Sequence, residues 1–183
     1  RLFLCSLVLV SVTQAEDLLP SWADTAPKQA ILDFVAKVSN PNGKDFVPEQ
    51  DRLAVFDNDG TLWPECPMPF QIAFVVDEVK RLATEQPELA KDPIIKAALE
   101  GDFKALFAGE KHDGFMKIMA LTHSGMTSDE FSRRVKSWFA TAEYPPLGTS
   151  YGEATYLPMQ EVFSLLRSKG FHVAIVSGGG VDF

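Results

Sequence analysis

Apolar residues along the chain form two short continuous runs and several longer segments with helical spacing. The short runs, Leu53–Phe56 and 171–176, predict β-strands, and the unbroken apolar run of the first indicates a strand buried on both faces. Helical spacing predicts helices over 26–38 and 159–169. A helix followed at once by a strand is half of a right-handed crossover, so we expect the two strands to be parallel neighbours.

Most of the remaining helical signal lies between the two strands. Apolar stripes predict helices from residue 70 to about 84, over 94–99, and near 112–122. The residues from Thr127 to Glu130 have the pattern of a capping box and predict the start of a further helix. Several helices between two strands indicate an α/β protein with a helical domain inserted into its core.

Small polar residues follow both predicted strands. Asp57 and Asp59 come directly after the first strand, and Ser177 comes directly after the second. Ligands of open parallel sheets bind outside the carboxyl ends of the strands, so these side chains mark a candidate site. Gly60 allows backbone angles that other residues avoid and a close approach by a ligand.

The segment Asp-Asn-Asp-Gly over 57–60 has an alternative interpretation as an ordinary polar turn, because Asn, Asp and Gly are common in turns. A calcium-binding loop starting at Asp57 would need Gly at its sixth position and Glu at its twelfth. Those positions hold Leu62 and Met68, so the sequence excludes such a loop.

Two motifs resemble those of the haloacid dehalogenase superfamily of hydrolases, most of whose members are phosphatases. FDNDGTLW, over 56–63, is similar to the first motif, and IVSGGG, over 175–180, is similar to the second. The resemblance covers the chain from about Leu53 to its end. It implies a Rossmann-like parallel sheet with an inserted α-helical cap, in the phosphoserine-phosphatase-like or acid-phosphatase-like branch.

The resemblance implies three segments after the N-terminal one: a first part of the core over 16–65, the cap over 66–150, and a second part of the core over 151–183. The third and fourth motifs of the family, a Lys or Arg and a pair of acidic residues, would lie beyond the last residue. We therefore interpret the sequence as a fragment that lacks the C-terminal part of the sheet and has little or no turnover alone.

The implied reaction is Mg²⁺-dependent hydrolysis of a phosphate monoester through an aspartyl-phosphate. Asp57 would attack phosphorus, and Asp59 would protonate the leaving alcohol and then accept a proton from water. The metal would bind the Asp57 carboxylate and the backbone carbonyl of Asp59. The remaining implied roles are phosphate binding for Asn58, Ser177 and Gly178, and support of the loop for Gly60 and Thr61.

Two alternative functions remain open. Hydrolytic dehalogenases of the same fold commonly lack the second acid, because a halide leaves without a proton, so Asp59 favours the phosphatase. A non-catalytic exported domain that keeps the fold is the other alternative, since the third and fourth motifs are not in the sequence.

The N-terminal segment, residues 1–15, has the pattern of a secretory signal peptide: Arg1, an apolar stretch over 2–12, and Ala15 before the cleavage point. The alternative is a buried N-terminal strand or helix. A membrane span needs about 20 apolar residues, and the stretch over 2–12 is shorter than that. We therefore expect no stable membrane insertion after cleavage, and a periplasmic or secreted protein. Cys66 would then be the one remaining cysteine, which excludes an internal disulfide.

The formal net charge is −8, and the sequence has no basic run. Nucleic acids are therefore not expected as partners, because binding to phosphate backbones depends on clustered Lys and Arg. A small phosphorylated substrate is still compatible with this charge, since a divalent cation and backbone amides can hold one phosphate. The sequence specifies neither the substrate nor the oligomeric state.

Trp63 and the prolines after it predict a short flap beside the candidate site. Trp63 could stack on a substrate ring or pack beneath the inserted helices, and we favour the second. His112 and His123 lack metal-ligand spacing and are interpreted as surface or capping residues.

Overall fold

The computed structural model describes residues 17–109, 112–180 and 183, so the predicted signal peptide over 1–15 lies outside the described residues. No helix within the described ranges is long and apolar enough to cross a membrane. The regular elements, in chain order, are α1 (Ala26–Ser39), β1 (Leu53–Phe56), α2 (Phe70–Glu85), α3 (Pro93–Glu100), α4 (Phe103–Leu106), α5 (Asp113–His123), α6 (Ser128–Thr141), β2 (Glu143–Tyr144), β3 (Thr149–Ser150), α7 (Leu157–Ser168) and β4 (His172–Ile175).

The two predicted strands are parallel neighbours. Leu53 of β1 lies opposite His172 of β4, and Phe56 lies opposite Ile175. The amide of Val176 donates to the carbonyl of Phe56 over 2.8 Å, so the pairing continues to the carboxyl ends of both strands. The prediction from the helix-then-strand order is confirmed, and the fold is α/β with a small parallel sheet.

One face of this sheet is covered. Ala54, Phe56 and Val173 pack against α1 and α7 in a hydrophobic cluster with seven buried members. The buried residues of this core cluster are Leu19, Val35, Val38, Val162, Leu165, Leu166 and Phe171.

The opposite face of the sheet corrects the prediction that β1 is buried on both faces. Leu53 is 63% exposed and Val55 is 53% exposed, and Val176, which continues the same face beyond β4, is 65% exposed. The prediction was wrong because an apolar run shows that both faces are apolar, not that something packs on each. In the part of the chain that the structure describes, helices cover only the Ala54 side.

The helices from α2 to α6 build a second hydrophobic cluster, separate from the first. Phe70, Phe74, Val79 and Ile118 are at most 1% exposed. Glu78 of α2 is also buried, and its carboxylate is paired with Arg81 at 3.0 Å and with Arg134 of α6 at 2.7 Å. Burial of a carboxylate is tolerated here because both partners are cationic and hydrogen-bonded. This cluster fits the predicted cap, whose boundaries stay a prediction.

Local signals fixed the helix ends. Thr127 and Glu130 form the predicted capping box at the start of α6. Pro158 occupies the first turn of α7, where its missing amide costs nothing. Gly170 lies in the short connection between α7 and β4 and has a φ of +73°. A Cβ there would lie 2.7 Å from the Glu49 side chain.

Candidate active site

The site lies where β1 and β4 end. Because Phe56 and Ile175 are opposite each other, Asp57 and Ser177 leave adjacent strands at the same edge of the sheet. Asp57 and Ser177 are exposed, and Asp59 is half-buried. The structure therefore places both predicted aspartates and the predicted serine at one edge, as the strand-end argument requires.

The segment 57–63 after β1 is a compact loop closed by its own backbone. The carbonyl of Asn58 accepts hydrogen bonds from the amides of Thr61 at 3.1 Å and Leu62 at 2.8 Å. The amide of Gly60 donates to the carbonyl of Trp63 over 2.8 Å, with Gly60 at a φ of +73°. A residue with a side chain would be strained at this φ, so glycine is needed here.

The loop is also tied to the rest of the core. Leu62 is buried, and its carbonyl accepts a hydrogen bond from the amide of Tyr156 at the start of α7. The backbone of Thr61 takes part in the loop, whereas its hydroxyl makes no hydrogen bond to the described residues. Support of the loop by Thr61 therefore comes from its amide in this structure.

The two aspartates have different partners. Asp57 Oδ1 accepts the backbone amide of Asn58 over 2.8 Å. Asp59 Oδ1 accepts the indole Nε1–H of Trp63 over 2.7 Å. The Asn58 amide predicted to bind phosphate is thus engaged by the carboxylate of its neighbour, while the carboxylate of Asp59 is held by a side chain that sequence reasoning did not connect to it.

Trp63 packs on the inserted helices. Its ring stacks on Phe70 of α2 with centroids 5.1 Å apart and planes 17° apart, and its centroid lies 5.5 Å from that of Phe139 of α6. The interpretation that Trp63 packs beneath the insertion is confirmed. Tyr144 also fixes the flap, because its hydroxyl donates to the carbonyl of Cys66 over 2.5 Å.

The loop after β4 is held by an insertion residue that sequence reasoning missed. Ser177 Oγ accepts the amide of Gly179 over 3.1 Å, and Gln71 Oε1 accepts the amide of Gly180 over 3.2 Å. A Cβ on Gly180 would lie 2.9 Å from Gln71 Nε2, so a side chain here would displace the Gln71 amide from this contact. Gly178 has open space around its α-carbon. No local pattern marks Gln71, since it is one of several polar residues of α2 and nothing in its spacing sets it apart.

Glu65 is a second residue that the motif did not include. Its carboxyl group lies over the glycine of the loop, 3.1 Å from where a Cβ of Gly60 would be. Glu65 is exposed and adds an acidic side chain to the loop that carries Asp57 and Asp59. Because Glu65 lies outside both motifs, its place over Gly60 is found only from the fold.

The oxygen donors in the loop are of the type that a hard divalent cation prefers. Mg²⁺ takes oxygen ligands and usually keeps several waters, so it needs only one or two carboxylates from the protein. The loop offers the Asp57 carboxylate and the backbone carbonyl of Asp59. Asn58 Oδ1 is buried and has no hydrogen-bond partner among the described residues. Within those residues, no three His, Cys, Asp or Glu side chains form a ready metal cluster.

The histidines take no part in the site. His112 is exposed and immediately precedes α5. His123 ends α5, where its Nδ1 lies 3.0 Å from the carbonyl of Met119 in the last turn. His112 fits the interpretation as a surface residue. His123 fits that as a capping residue, with its ring half-buried beside Phe131.

A parallel sheet that brings two aspartates and a serine to one edge, with a helical insertion between its strands, defines an α/β protein with a polar site at the strand ends. The family model for haloacid dehalogenase-like hydrolases matches residues 54–182, so the chain belongs to that family. The matched segment contains both motifs and the whole insertion. A comparison with curated proteins found no match. The fold and the family agree with the resemblance read from the motifs, while the individual roles of the site residues stay predictions.

Proposed function

We propose that the protein is an exported phosphatase that hydrolyses small phosphate monoesters through a phosphorylated Asp57. The observation that supports this most is the common sheet edge of Asp57, Asp59 and Ser177, produced by the pairing of β1 with β4. Among haloacid dehalogenase-like hydrolases, a second acid two residues after the first suits a leaving group that needs a proton. Asp59 is that acid.

In the first step, Asp57 attacks phosphorus and the ester P–O bond breaks. The departing alkoxide takes a proton from Asp59, so the leaving group exits as a neutral alcohol. In the second step, water attacks the phosphoryl group and Asp59 takes its proton. The bond between phosphorus and Asp57 then breaks, which releases inorganic phosphate and restores the carboxylate.

Ser177 would bind a phosphoryl oxygen with its hydroxyl, and the amides of Asn58 and Gly178 are placed on the two loops that border the same edge. The Asn58 amide would have to exchange its bond to Asp57 for one to the substrate. Mg²⁺ would be held by Asp57 and the carbonyl of Asp59, and when bound it supplies positive charge against the phosphoryl oxygens.

The acidic net charge of −8 does not conflict with a phosphorylated substrate. The ligand is small, so one bound cation and a few directed donors decide its binding rather than the charge of the whole protein. Export rests on the signal-peptide pattern over 1–15 and would be tested by fractionating cells that express the protein with and without those residues.

The test is a comparison of substrates with the full-length protein, including any residues that follow Phe183. We expect turnover of p-nitrophenyl phosphate that needs Mg²⁺ and is lost in a chelator, with no turnover of chloroacetate or fluoroacetate. Release of halide without phosphatase activity would instead make the protein a dehalogenase. Failure to turn over any of these substrates would favour a non-catalytic domain.

A further inference from the structure

The contact between Trp63 and Asp59 distinguishes the two oxygens of the Asp59 carboxyl group. The indole Nε1–H of Trp63 lies 2.7 Å from Asp59 Oδ1, and this N–H is a donor only. It therefore fills one acceptor site on Oδ1 and cannot take a proton from it. The oxygen that this donor does not contact, Oδ2, is the one that would carry the proton given to a leaving group.

The indole is itself fixed in place. Its ring stacks on Phe70, and the Phe139 ring lies beside it with centroids 5.5 Å apart. Phe70 is fully buried in the hydrophobic cluster of the inserted helices. The backbone adds a second constraint, because the carbonyl of Trp63 accepts the amide of Gly60 within the loop. A hydrogen bond from a locked ring restricts the rotation of a half-exposed carboxylate, which would otherwise be free to turn.

We propose that Trp63 is a positioning residue for the acid–base step: it holds the Asp59 carboxyl so that Oδ2 faces the leaving group. This proposal rests on the proposed phosphatase function. Trp63 touches neither substrate nor the reacting atoms and acts through Asp59. The packing of its ring on α2 and α6 makes the orientation of the acid depend on the inserted helices, and not on the loop alone.

The test uses two aryl phosphates that differ in their need for a proton. Phenyl phosphate releases a poor leaving group that must be protonated, whereas p-nitrophenyl phosphate releases a good one that departs without help. The parameter is kcat/KM, which covers the steps up to departure of the leaving group and so omits the later hydrolysis of the phosphoenzyme.

Trp63→Phe keeps the aromatic ring and removes the N–H. We expect kcat/KM for phenyl phosphate to fall about tenfold or more, the effect of losing a hydrogen bond to a charged group, and that for p-nitrophenyl phosphate to fall less than about threefold. Trp138→Phe is the matched control, because its indole N–H donates to Asp77 over 3.0 Å within the insertion. That variant is expected to change kcat/KM for both substrates by the same factor.

A second measurement does not depend on activity. The chain has three tryptophans, so an amide NMR spectrum shows three indole N–H resonances. We expect Asp59→Asn to move the resonance that Trp63→Phe deletes and to leave those of Trp22 and Trp138 in place. The Trp63 resonance can also be assigned by elimination, as the one that neither Trp22→Phe nor Trp138→Phe deletes. The measurement therefore remains informative if Trp63→Phe folds poorly.

The proposal is overturned if the Trp63 resonance does not respond to Asp59→Asn. It is equally overturned if Trp63→Phe lowers both values of kcat/KM by one common factor, because a purely structural role predicts that result. A wild-type protein that hydrolyses neither aryl phosphate would refute the proposed function instead. If the Trp63 resonance still responded to Asp59→Asn in that case, the contact would be structural and its catalytic role refuted.

Discussion

At the scale of residues, the candidate site gives different surroundings to two carboxylates that are separated by one residue. Asp57 is exposed and bonded to the amide of Asn58, whereas Asp59 is half-buried and held by Trp63. The nucleophile needs an open approach to the substrate, and the acid–base residue needs a fixed direction. The surroundings of each side chain match the role proposed for it.

Asp59→Asn tests the acid–base role. The amide cannot donate the carboxylic proton or accept one from water, so we expect hydrolysis of phenyl phosphate to slow by about 10²- to 10⁴-fold, the usual contribution of a positioned acid or base. Steady-state kinetics with purified protein measure the change.

The matched control for that variant is Asp51→Asn. Asp51 is exposed and lies in the short turn before β1. Its substitution removes the same charge without changing the loop over 57–63. Its kinetics should resemble those of the wild type. Similar losses from both substitutions would mean that net charge, and not proton transfer, explains the effect.

At the scale of elements, capping decides where the inserted helices begin. Thr127 Oγ1 accepts the amide of Glu130, and the Glu130 carboxylate accepts the amide of Thr127 over 2.8 Å. These bonds satisfy two donors that the first turn of α6 would otherwise leave unpaired. The N–H of Thr127 holds the pKa of Glu130 below its ordinary value, since the ionised carboxylate is the better acceptor.

Thr127→Ala should lower the free energy of unfolding by about 1 kcal/mol, the usual cost of losing an N-cap side chain. Urea denaturation measures it. Thr141→Ala is the control, because the Thr141 hydroxyl donates to the carbonyl of Ser137 at the other end of α6 and caps no free amide. Equal losses from the two variants would show that the capping box does not stabilise this helix.

His123 adds a dependence on pH at the end of α5. Burial lowers the pKa of His123 below its ordinary value of 6.5, against the opposing effects of the Met119 carbonyl and Glu78. The ring centroid lies 4.6 Å from that of Phe131. The unfolded chain therefore binds a proton at a higher pH than the folded one, and stability falls as the pH drops below 6.5 towards the lowered folded pKa.

His123→Gln should flatten this dependence between about pH 7.5 and pH 5.5, where few other side chains titrate. The measurement is the free energy of unfolding from urea titrations at several pH values. His112→Gln, which changes an exposed ring, should keep the slope of the wild type. A slope that survives in His123→Gln and disappears in His112→Gln would reverse the assignment.

At the scale of the whole molecule, the sheet edge and the inserted helices meet through aromatic side chains. Trp63 connects the loop after β1 to Phe70 and Phe139, and Phe183, beyond the loop after β4, packs 5.2 Å from Phe139. Gln71 adds a polar contact to the Gly180 amide. Both site loops thus depend on the inserted helices for their position.

These contacts also mark what the sequence could predict. The elements and the edge of the site follow from local signals: apolar periods, prolines, the capping box and the residues that end each strand. The Trp63 hydrogen bond depends on the conformation of its own loop, and the approach of Gln71 depends on how α2 packs against a loop 109 residues away. The spacing of apolar residues predicts neither contact. The exposed face of Leu53 and Val55 was missed for the same reason, since apolar composition does not show what lies opposite.

The most direct test of the account is the site of phosphorylation. The intact protein is mixed with p-nitrophenyl phosphate and Mg²⁺, quenched in acid, and digested for mass spectrometry. We predict one phosphoryl group on Asp57, and neither this adduct nor turnover in Asp57→Asn. A phosphoryl group on another residue, or undiminished hydrolysis by Asp57→Asn, would contradict the account.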